Sequence, residues 1–261
     1  MKTLSWEEFV AGPVWDRPFA ATVGVFDGIH RGHLALIDRI RSEPGHGSAV
    51  FTFRDNPKRL LRPSAFHGDL FTLQQKLDAL ASRGVEVCVL IDFSGDFSKL
   101  AGRIFLSFLA EIASVRLLVL GSDFRCGYRL DTGVAEIESY CSPRGIRTEV
   151  FEPILWAGHP VSSSRIRKAV VEGRLEEAAE MLGRPFELDL RSADCSQPGC
   201  VRLELDGLQV LPPPGRYEAI VVGAAGQRPG FARCEGSRWF LDGAEGDRPE
   251  ALRLISLVSR V

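Results

Sequence analysis

Short apolar segments recur through the first 151 residues, and each is followed by a stretch in which apolar positions repeat with a helical period. The apolar segments are nearly continuous and rich in β-branched residues, which is typical of strands buried on both faces. They span 19–26, 48–53, 85–91, 115–120 and 146–151. This alternation of strand and helix predicts an α/β fold with a doubly wound, Rossmann-like parallel sheet of about five strands.

The stretches between the predicted strands carry their apolar residues on one helical face. The two clearest faces consist of Leu34, Ile37 and Ile40 and of Leu73, Leu77 and Leu80. Thr72 is placed to cap the second helix. Two more helices are predicted at 163–172 and 174–182, where Gly183 followed by Pro185 gives a stop signal.

The pattern changes beyond residue 186. Apolar and polar residues alternate at 201–205, and further strands are predicted at 217–222, 238–241 and 252–258. We therefore predict a domain boundary near 186, with a large domain at 1–186 and a small, mostly β domain at 187–261.

Composition narrows the class of protein. Hydrophobic residues make up 45% and charged residues 25%, and the net charge of -2 leaves no basic field for nucleic acid or an anionic membrane. The first residues do not resemble a signal peptide, and no apolar run approaches the roughly 18 residues of a spanning helix, so a cytoplasmic protein is expected. The closest cysteines, Cys195 and Cys200, form no metal-binding pattern, and reduced thiols are expected.

The segment G-V-F-D-G-I-H-R-G-H at 24–33 lies where the first predicted strand turns into a helix. Gly28 and Gly32 let the backbone approach a ligand closely, and a helix N-terminus favours phosphate. His30 and His33 stand three residues apart and can donate hydrogen bonds to charge that builds on a phosphoryl group. The alternative interpretation is that both histidines only cap the helix.

A serine run offers a second predicted phosphate site. Ser162 or Ser163 can cap the helix that begins there, and the remaining hydroxyl and N–H groups can then bind an anion. Arg167 carries a planar fork of donors suited to phosphate oxygens. The alternative is an ordinary helix cap beside a solvated arginine.

These segments resemble a known family. The first matches the H-x-G-H nucleotidyltransferase superfamily, and four others match elements of one of its branches. They are T-F-R-D-N-P at 52–57 (T-F-x-x-x-P), G-S-D-F-R-C-G at 121–127 (G-x-D-F-x-F-G, with Cys126 for Phe), V-S-S-S-R-I-R at 161–167 (I-S-S-T-x-I-R, with Ser164 for Thr) and L-G-R-P-F at 182–186 (L-G-R-P-Y). In this order, over about 15–186, they are similar to the adenylyltransferase half of bacterial bifunctional riboflavin kinase/FMN adenylyltransferases, the prokaryotic FAD synthetases.

The resemblance implies that ATP and FMN are the substrates, that FAD is the product, and that Mg²⁺ accompanies ATP. It assigns catalysis to His30, His33 and Arg167, and ATP binding to these three together with Gly24, Phe26, Gly28, Ser163 and Ser164. It assigns FMN binding to Asn56, Asp123 and Phe124, although Asn56 and Asp123 could equally be turn formers. The sequence offers no carboxylate cage of its own for a metal, so magnesium is expected to arrive on ATP.

The resemblance fails in the second half. Bifunctional relatives carry a glycine-rich loop ending in P-T-A-N, which occurs nowhere in this chain, and no Thr or Asn lies between Phe186 and Tyr217. P-G-R-Y at 214–217 resembles the P-x-G-V-Y that follows that loop in the family. We therefore expect a degenerate kinase-like barrel without riboflavin kinase activity.

Three alternatives stay open at this point. The chain could adenylylate another phosphorylated substrate, such as nicotinate mononucleotide, phosphopantetheine or glycerol phosphate. It could be a non-catalytic sensor of flavin nucleotides, or a bifunctional enzyme whose kinase site uses unrecognised residues. The oligomeric state is not predicted.

Overall fold

The computed structural model describes residues 1–12, 17–93, 96–197, 200–202, 209–236, 238–241 and 248–260. The chain divides into two compact units. One comprises Met1–Phe66 and Lys76–Ile154, and the other comprises His67–Gln75 and Leu155–Val261. These units are defined by contacts, and the domain boundary near 186 stays a prediction.

A six-stranded sheet forms the centre of the first unit, in the order β1-β4-β3-β2-β5-β8. The strands of this unit are β1 (Lys2–Ser5), β2 (Phe19–Val23), β3 (Gly47–Phe53), β4 (Val87–Ile91), β5 (Val115–Gly121), β6 (Arg125–Cys126), β7 (Thr132–Gly133) and β8 (Arg147–Phe151). Every pair of neighbours in the large sheet is parallel, which confirms the predicted architecture. Strand β1 was not predicted, because of its four residues only Leu4 is buried.

Helices cover both faces of this sheet. The helices of the chain are α1 (Trp6–Ala11), α2 (Arg31–Arg41), α3 (Pro57–Leu61), α4 (Leu73–Ser82), α5 (Gly102–Glu111), α6 (Val134–Cys141), α7 (Ser163–Val171) and α8 (Leu175–Leu182). Helix α2 buries Leu36, Ile37 and Ile40 and packs against β2, β3 and β5. Residues of α5 and α6 join the core cluster that contains Phe51 and Ala21. The sheet is therefore doubly wound, as predicted.

The strand order reverses between β2 and β5. The chain passes from β2 through β3 to β4 on one side, whereas β5 and β8 lie on the other side. In open parallel sheets, ligands bind beyond the carboxyl ends of the strands at such a switch point. The segments that follow β2 and β5, at 24–33 and 121–127, are the first and third motifs of the sequence.

Antiparallel strands dominate the second unit. Its strands are β9 (Leu155–Trp156), β10 (His159–Pro160), β11 (Phe186–Asp189), β12 (Asp194–Gln197), β13 (Cys200–Arg202), β14 (Gly215–Gly223), β15 (Gly226–Glu235), β16 (Arg238–Leu241) and β17 (Pro249–Arg260). Seven of them form one sheet in the order β11-β17-β14-β15-β16-β13-β12. The predicted mostly β character is confirmed, and β11, β12 and β15 are strands of this sheet that were not predicted. Of the predicted strand at 201–205, residues 203–205 lie outside the described residues.

Two sequence signals at helix ends of this unit are confirmed. Thr72 caps α4, where its Oγ1 accepts a hydrogen bond from the Gln75 amide at 3.2 Å. Gly183 ends α8 in the left-handed conformation with φ 80°, which glycine adopts without strain.

The segment 67–75 belongs to the second unit although the chain around it belongs to the first. The Val210 amide donates to the Asp69 carbonyl at 2.8 Å, and Gln209 Nε2 donates to the Leu70 carbonyl at 3.0 Å. Leu70 and Phe71 are buried. Backbone and side-chain bonds thus hold this segment to residues more than a hundred positions later in the chain.

Candidate functional site

The loop that leaves β2 has a strained backbone. Phe26, Gly28 and Ile29 all have positive φ, at 51°, 78° and 37°. A β-branched or bulky side chain in this region is an outlier, and such strain persists only where the surroundings impose it. Phe26 and Ile29 are buried, and Thr52 Oγ1 donates to the Val25 carbonyl at 3.0 Å. Strand β2 ends at Val23 rather than at the predicted residue 26 because the chain turns here.

His30 and His33 are brought together by the start of α2. His30 is the cap of this helix, and its Nδ1 accepts a hydrogen bond from the His33 amide at 3.4 Å. The two imidazole rings stack with centroids 3.7 Å apart and an interplanar angle of 15°, and the Phe26 ring lies 5.0 Å from that of His33. Because Nδ1 of His30 is an acceptor, the neutral ring carries its proton on Nε2, which is then a donor.

His33 is held neutral by its surroundings. Burial lowers its pKa well below the ordinary value, and the charges of His30 and Lys76 lower the pKa further. Its Nδ1 is buried and has no hydrogen-bond partner among the described residues. A neutral imidazole is a donor at one nitrogen and an acceptor at the other, so this ring has bonding capacity that a ligand can use.

Lys76 is a buried cation near this pair that was not among the predicted site residues. It is 5% exposed, and its Nζ donates to the Phe53 carbonyl at 2.9 Å, at the carboxyl end of β3. The sequence did contain a signal. Lys76 occupies the same face of α4 as Leu73, Leu77 and Leu80, and a charge within an apolar stripe is unusual.

Asn56 and Asp27, two further polar residues of the motifs, are also buried. Asn56 caps α3, where its Oδ1 accepts from the Lys58 amide at 3.1 Å. Asp27 lies within the strained loop. Gly24 anchors the start of that loop, since its amide donates to the Phe51 carbonyl at 3.1 Å. The predicted roles of Asn56 and Gly24 in binding ligand stay predictions.

The segment after β5 places Asp123 at the surface and Phe124 against the core. Because β2 and β5 are parallel neighbours, this segment leaves the sheet at the same edge as the histidine loop. Cys126 is partly buried, and burial raises the pKa of its thiol to about 12, with Asp131 adding to the effect. The thiol therefore stays protonated, consistent with a packing role. The side chains of Cys195 and Cys200 lie outside the described residues.

Three half-buried phenyl rings stand near the carboxyl ends of β3 and β4. The ring of Phe53 lies 5.7 Å from that of Phe93 and 6.3 Å from that of Phe97, in edge-to-face arrangements. Phe53 and Phe97 also pack against the core cluster, and the part of each ring that stays exposed offers apolar surface to an aromatic ligand. Sequence reasoning missed Phe93 and Phe97 because no motif contains them.

The second unit contains the serine run. Ser162 caps α7, as its Oγ accepts from the Arg165 amide at 3.3 Å, so the prediction of a serine cap is confirmed. Ser163 is half-buried and Ser164 is exposed in the first turn of the helix. Arg167 Nε donates to the Gly68 carbonyl at 2.7 Å, which orients the guanidinium. Arg167 is therefore a partly buried, anchored side chain rather than a solvated one.

A metal-binding cluster and a membrane-spanning helix are two features that the described residues do not show. They contain no group of three or more His, Cys, Asp or Glu side chains that could hold a metal ion. No helix among them is long and apolar enough to cross a membrane.

Comparison with known proteins agrees with the motifs. A family model described as FAD synthetase matches residues 14–165, more than half of the chain. The chain is 29% identical over 191 residues to a bifunctional riboflavin kinase/FMN adenylyltransferase of Listeria monocytogenes, covering 71% of this chain and 60% of the relative. It is 29% identical over 174 residues to the protein of that name from Escherichia coli strain K12, covering 65% of this chain and 56% of the relative. The matches thus span less than two thirds of these relatives.

A solved structure shows the same fold over the whole chain. It is described as a macrolide-efflux protein from Streptococcus pneumoniae, and it superimposes with a TM-score of 0.84. The match covers 100% of this chain and 92% of that chain at 20% sequence identity. At this identity the likeness concerns the fold alone.

Proposed function

Because the chain belongs to the FAD synthetase family, we propose that it transfers the AMP part of ATP to FMN, which yields FAD and pyrophosphate. The observation that carries the proposal is the stacked pair of His30 and His33 at the start of α2. The pair lies beyond the carboxyl end of a central strand, at the switch point of the sheet, where ligands of such folds bind.

The reaction needs no nucleophile from the protein. A phosphate oxygen of FMN attacks the α-phosphorus of ATP, the new P–O bond forms as the bond to pyrophosphate breaks, and the leaving group departs in line. Catalysis then depends on positioning and on stabilising charge in the transition state. In the proposal, His30 Nε2 and the His33 ring donate hydrogen bonds to the phosphate oxygens, and the N-terminal amides of α2 add to the positive potential.

We assign the β- and γ-phosphates of ATP to the start of α7. The amides of Ser163 and Ser164 lie in its first turn, and Arg167 offers a charged fork whose orientation is set by its bond to Gly68. Because Ser162 already serves as the cap, the proposal needs only the following two serines. Magnesium enters as part of the MgATP substrate, because phosphate oxygens are ligands that Mg²⁺ prefers.

FMN is the favoured acceptor of AMP for two reasons. The rings of Phe53, Phe93 and Phe97 offer aromatic surface for the flavin at the edge of the sheet from which the histidine loop leaves. Asn56, Asp123 and Phe124 occupy the motif positions assigned to flavin. Nicotinate mononucleotide, phosphopantetheine and glycerol phosphate have no comparable tricyclic ring system to cover these phenyl groups.

We further propose that the chain lacks riboflavin kinase activity. A kinase must hold a magnesium ligand and a base near the neutral hydroxyl of riboflavin. The P-T-A-N loop is missing, and two carboxylates of β11 are engaged elsewhere. Glu187 accepts from Arg253 Nε at 2.7 Å, and Asp189 accepts from Thr72 Oγ1 at 2.6 Å.

One experiment tests both proposals. The pure chain is incubated with MgATP and either FMN or riboflavin, and the flavins are separated by chromatography. We expect FAD from FMN and no FMN from riboflavin. Steady formation of FMN from riboflavin would show a bifunctional enzyme. Tight binding of FMN and ATP without any FAD would show a sensor, and turnover of nicotinate mononucleotide in preference to FMN would overturn the substrate assignment.

A further inference from the structure

The side chain of Arg167 is oriented by a segment that lies about a hundred residues earlier in the chain. Its Nε donates to the carbonyl of Gly68 at 2.7 Å, and Gly68 belongs to the segment 67–75 of the second unit. An arginine holds phosphate through a planar fork of donors, so a tilt of the guanidinium changes how the fork meets the oxygens. The position of segment 67–75 therefore bears on the site assigned to the β- and γ-phosphates of ATP.

Gly68 packs directly against the backbone of residues 209 and 210. Its φ of 99° lies in the region that favours glycine, and a methyl group at this position would come within 2.7 Å of the Val210 amide nitrogen and 2.8 Å of the Gln209 carbonyl carbon. The Val210 amide donates to the Asp69 carbonyl at 2.8 Å, and Asp69 and Gln209 form an isolated parallel bridge. The carbonyl that Arg167 uses is thus held in place by residues of the β-rich part of the chain.

The side chain of Gln209 ties segment 67–75 to β11. Its Nε2 donates to the Leu70 carbonyl at 3.0 Å and to the Glu187 carbonyl at 2.8 Å. Its Oε1 accepts from the Asp189 amide at 3.0 Å. An amide side chain supplies donors and an acceptor together, which these three backbone groups require. Because a buried polar group that loses its partner costs free energy, this one side chain fixes the segment against the strand.

We propose that Gln209 is a positioning residue for ATP, which acts through segment 67–75 and Gly68 on the guanidinium of Arg167. The inference rests on the proposed function, because it deepens the assignment of Arg167 to the phosphates. Each step from β11 to the guanidinium is a hydrogen bond or a close backbone contact. The strands beyond residue 186 contain no P-T-A-N loop, but in this way they contribute to adenylyl transfer.

Calorimetric titration of the full chain with ATP tests this connection. Gln209→Met keeps the length of the side chain and removes its donors and its acceptor. Leu241→Val is the matched control, because it trims a buried residue of β16, a strand that three others separate from β11 in the same sheet. We expect the Kd for ATP to rise roughly 3–30-fold in Gln209→Met and to stay within about twofold of the parent in Leu241→Val. An unchanged Kd in Gln209→Met would overturn the proposal.

A double-mutant cycle with Arg167→Ala separates positioning from a general loss of stability. If Gln209 acts through Arg167, then Gln209→Met should weaken ATP binding no further in a chain that already carries Arg167→Ala. A merely structural role would give the same fold-loss in both backgrounds, and that result would contradict the role of Gln209.

A pair of glycine variants tests the step at Gly68. Gly68→Ala places a methyl group against the Val210 amide, so we expect it to weaken ATP binding as Gln209→Met does. Gly226→Ala is the control, because Gly226 has a comparable positive φ of 111° with open space around it. Equal ATP affinity in the two glycine variants would show that the carbonyl of Gly68 does not position Arg167.

NMR of the nucleotide-free protein gives an answer even where a variant does not fold. The Nε–H signal of Arg167, identified by its absence in Arg167→Lys, reports the bond to Gly68 directly. We expect slow exchange of this hydrogen with water in the parent and faster exchange in Gln209→Met. Fast exchange in the parent would overturn the proposal.

The two proposals fail separately. A parent in which Gln209→Met both releases the Nε–H of Arg167 and weakens ATP binding, but which makes no FAD from FMN, would contradict the proposed function alone. A parent that makes FAD, with the same ATP affinity in Gln209→Met, would contradict the role of Gln209 alone.

Discussion

The N-termini of α2 and α7 are both proposed to bind phosphate, but with different side chains. Both helices present N-terminal amides and are assigned to phosphate, but α2 is capped by a histidine in a strained loop and α7 by a serine in an unstrained one. The cationic group near α7 is an arginine, which is always charged. At α2, burial lowers the pKa of His33 well below its ordinary value, and the charges of His30 and Lys76 add to this. The start of α2 therefore carries a group that can titrate, whereas the start of α7 carries a constant positive charge.

The largest loss of activity is expected when one of the two histidine side chains at the start of α2 is removed. His30→Ala or His33→Ala should lower FAD formation by at least about 10², because each removes a preorganised donor to the transition state. Chromatography of the flavins measures the rate, and circular dichroism checks the fold. His46→Ala is the matched control. His46 directly precedes the amino end of β3, whereas the histidine pair lies beyond the carboxyl ends of the strands. Near-normal turnover in both variants would show that the start of α2 is not the active site.

At the start of α7, Arg167→Lys keeps the charge but loses the fork of donors. We expect the KM for ATP to rise roughly tenfold, as expected for loss of about 1.4 kcal/mol of binding, with a larger effect in Arg167→Ala. Lys168→Ala serves as the control, because Lys168 is exposed on the same helix. If Arg167→Ala used ATP as well as the parent does, the bond to Gly68 would be the whole role of this arginine.

Strain separates the two starts in stability as well as in activity. Gly28→Ala forces a side chain into positive φ and should cost about 1–2 kcal/mol, measured by urea unfolding. Gly45→Ala meets the same backbone penalty in open space, away from the histidines. The two variants should lose similar stability, but only Gly28→Ala should also lose FAD formation. Equal activity in both would show that the loop geometry does not matter for the reaction.

The serines of α7 should divide into a structural and a binding role. Ser162→Ala removes the cap and should lower the free energy of unfolding by about 1 kcal/mol. Ser164 is exposed and is not the cap, so Ser164→Ala should leave unfolding unchanged and weaken ATP binding instead. Calorimetric titration with ATP, beside urea unfolding, distinguishes the two. A stability loss in Ser164→Ala would contradict the division.

The smallest expected effect is the dependence of stability on pH at α2. His33 has a lowered pKa when folded, so the unfolded chain binds the proton more readily between that pKa and about 6.5. Stability from this group is therefore present above 6.5 and is lost as the pH falls toward the folded pKa. Urea unfolding at pH 7 and pH 5 should show a smaller drop in His33→Gln than in the parent. An equal drop would show that groups other than His33 account for all of it.

The sheet of the first unit could be predicted because its central strands are buried on both faces and read as continuous apolar runs. The edge strand β1 escaped prediction, since a strand covered on one side needs only one buried residue among four. In the second unit β15 escaped because its buried positions are only Ala232 and Cys234. The sequence pattern thus predicts strands that are buried on both faces better than strands with few buried positions, whether at an edge, as β1, or in the middle of a sheet, as β15.

The candidate site, too, could be predicted from the sequence only in part. The positions of His30, His33 and Arg167 were identified by motif, and their assigned roles stay predictions. The strain at Phe26 and Ile29 could not be predicted, because it depends on how β2 and β3 meet around the loop. Nor could the lowered pKa of His33, which depends first on burial in the folded chain and then on the charges of His30 and of a lysine 43 positions away in the sequence.

The discontinuous make-up of the second unit has a consequence for synthesis on the ribosome. The segment 67–75 leaves the ribosome early, but its partners Asp189, Gln209 and Val210 emerge more than a hundred residues later. Until then Leu70 and Phe71 have no native surface from the second unit to cover them. Apolar side chains that stay exposed in this way are bound by chaperones and promote aggregation. Nascent chains stalled before residue 189 should therefore be more sensitive to protease near residue 70 than the completed protein.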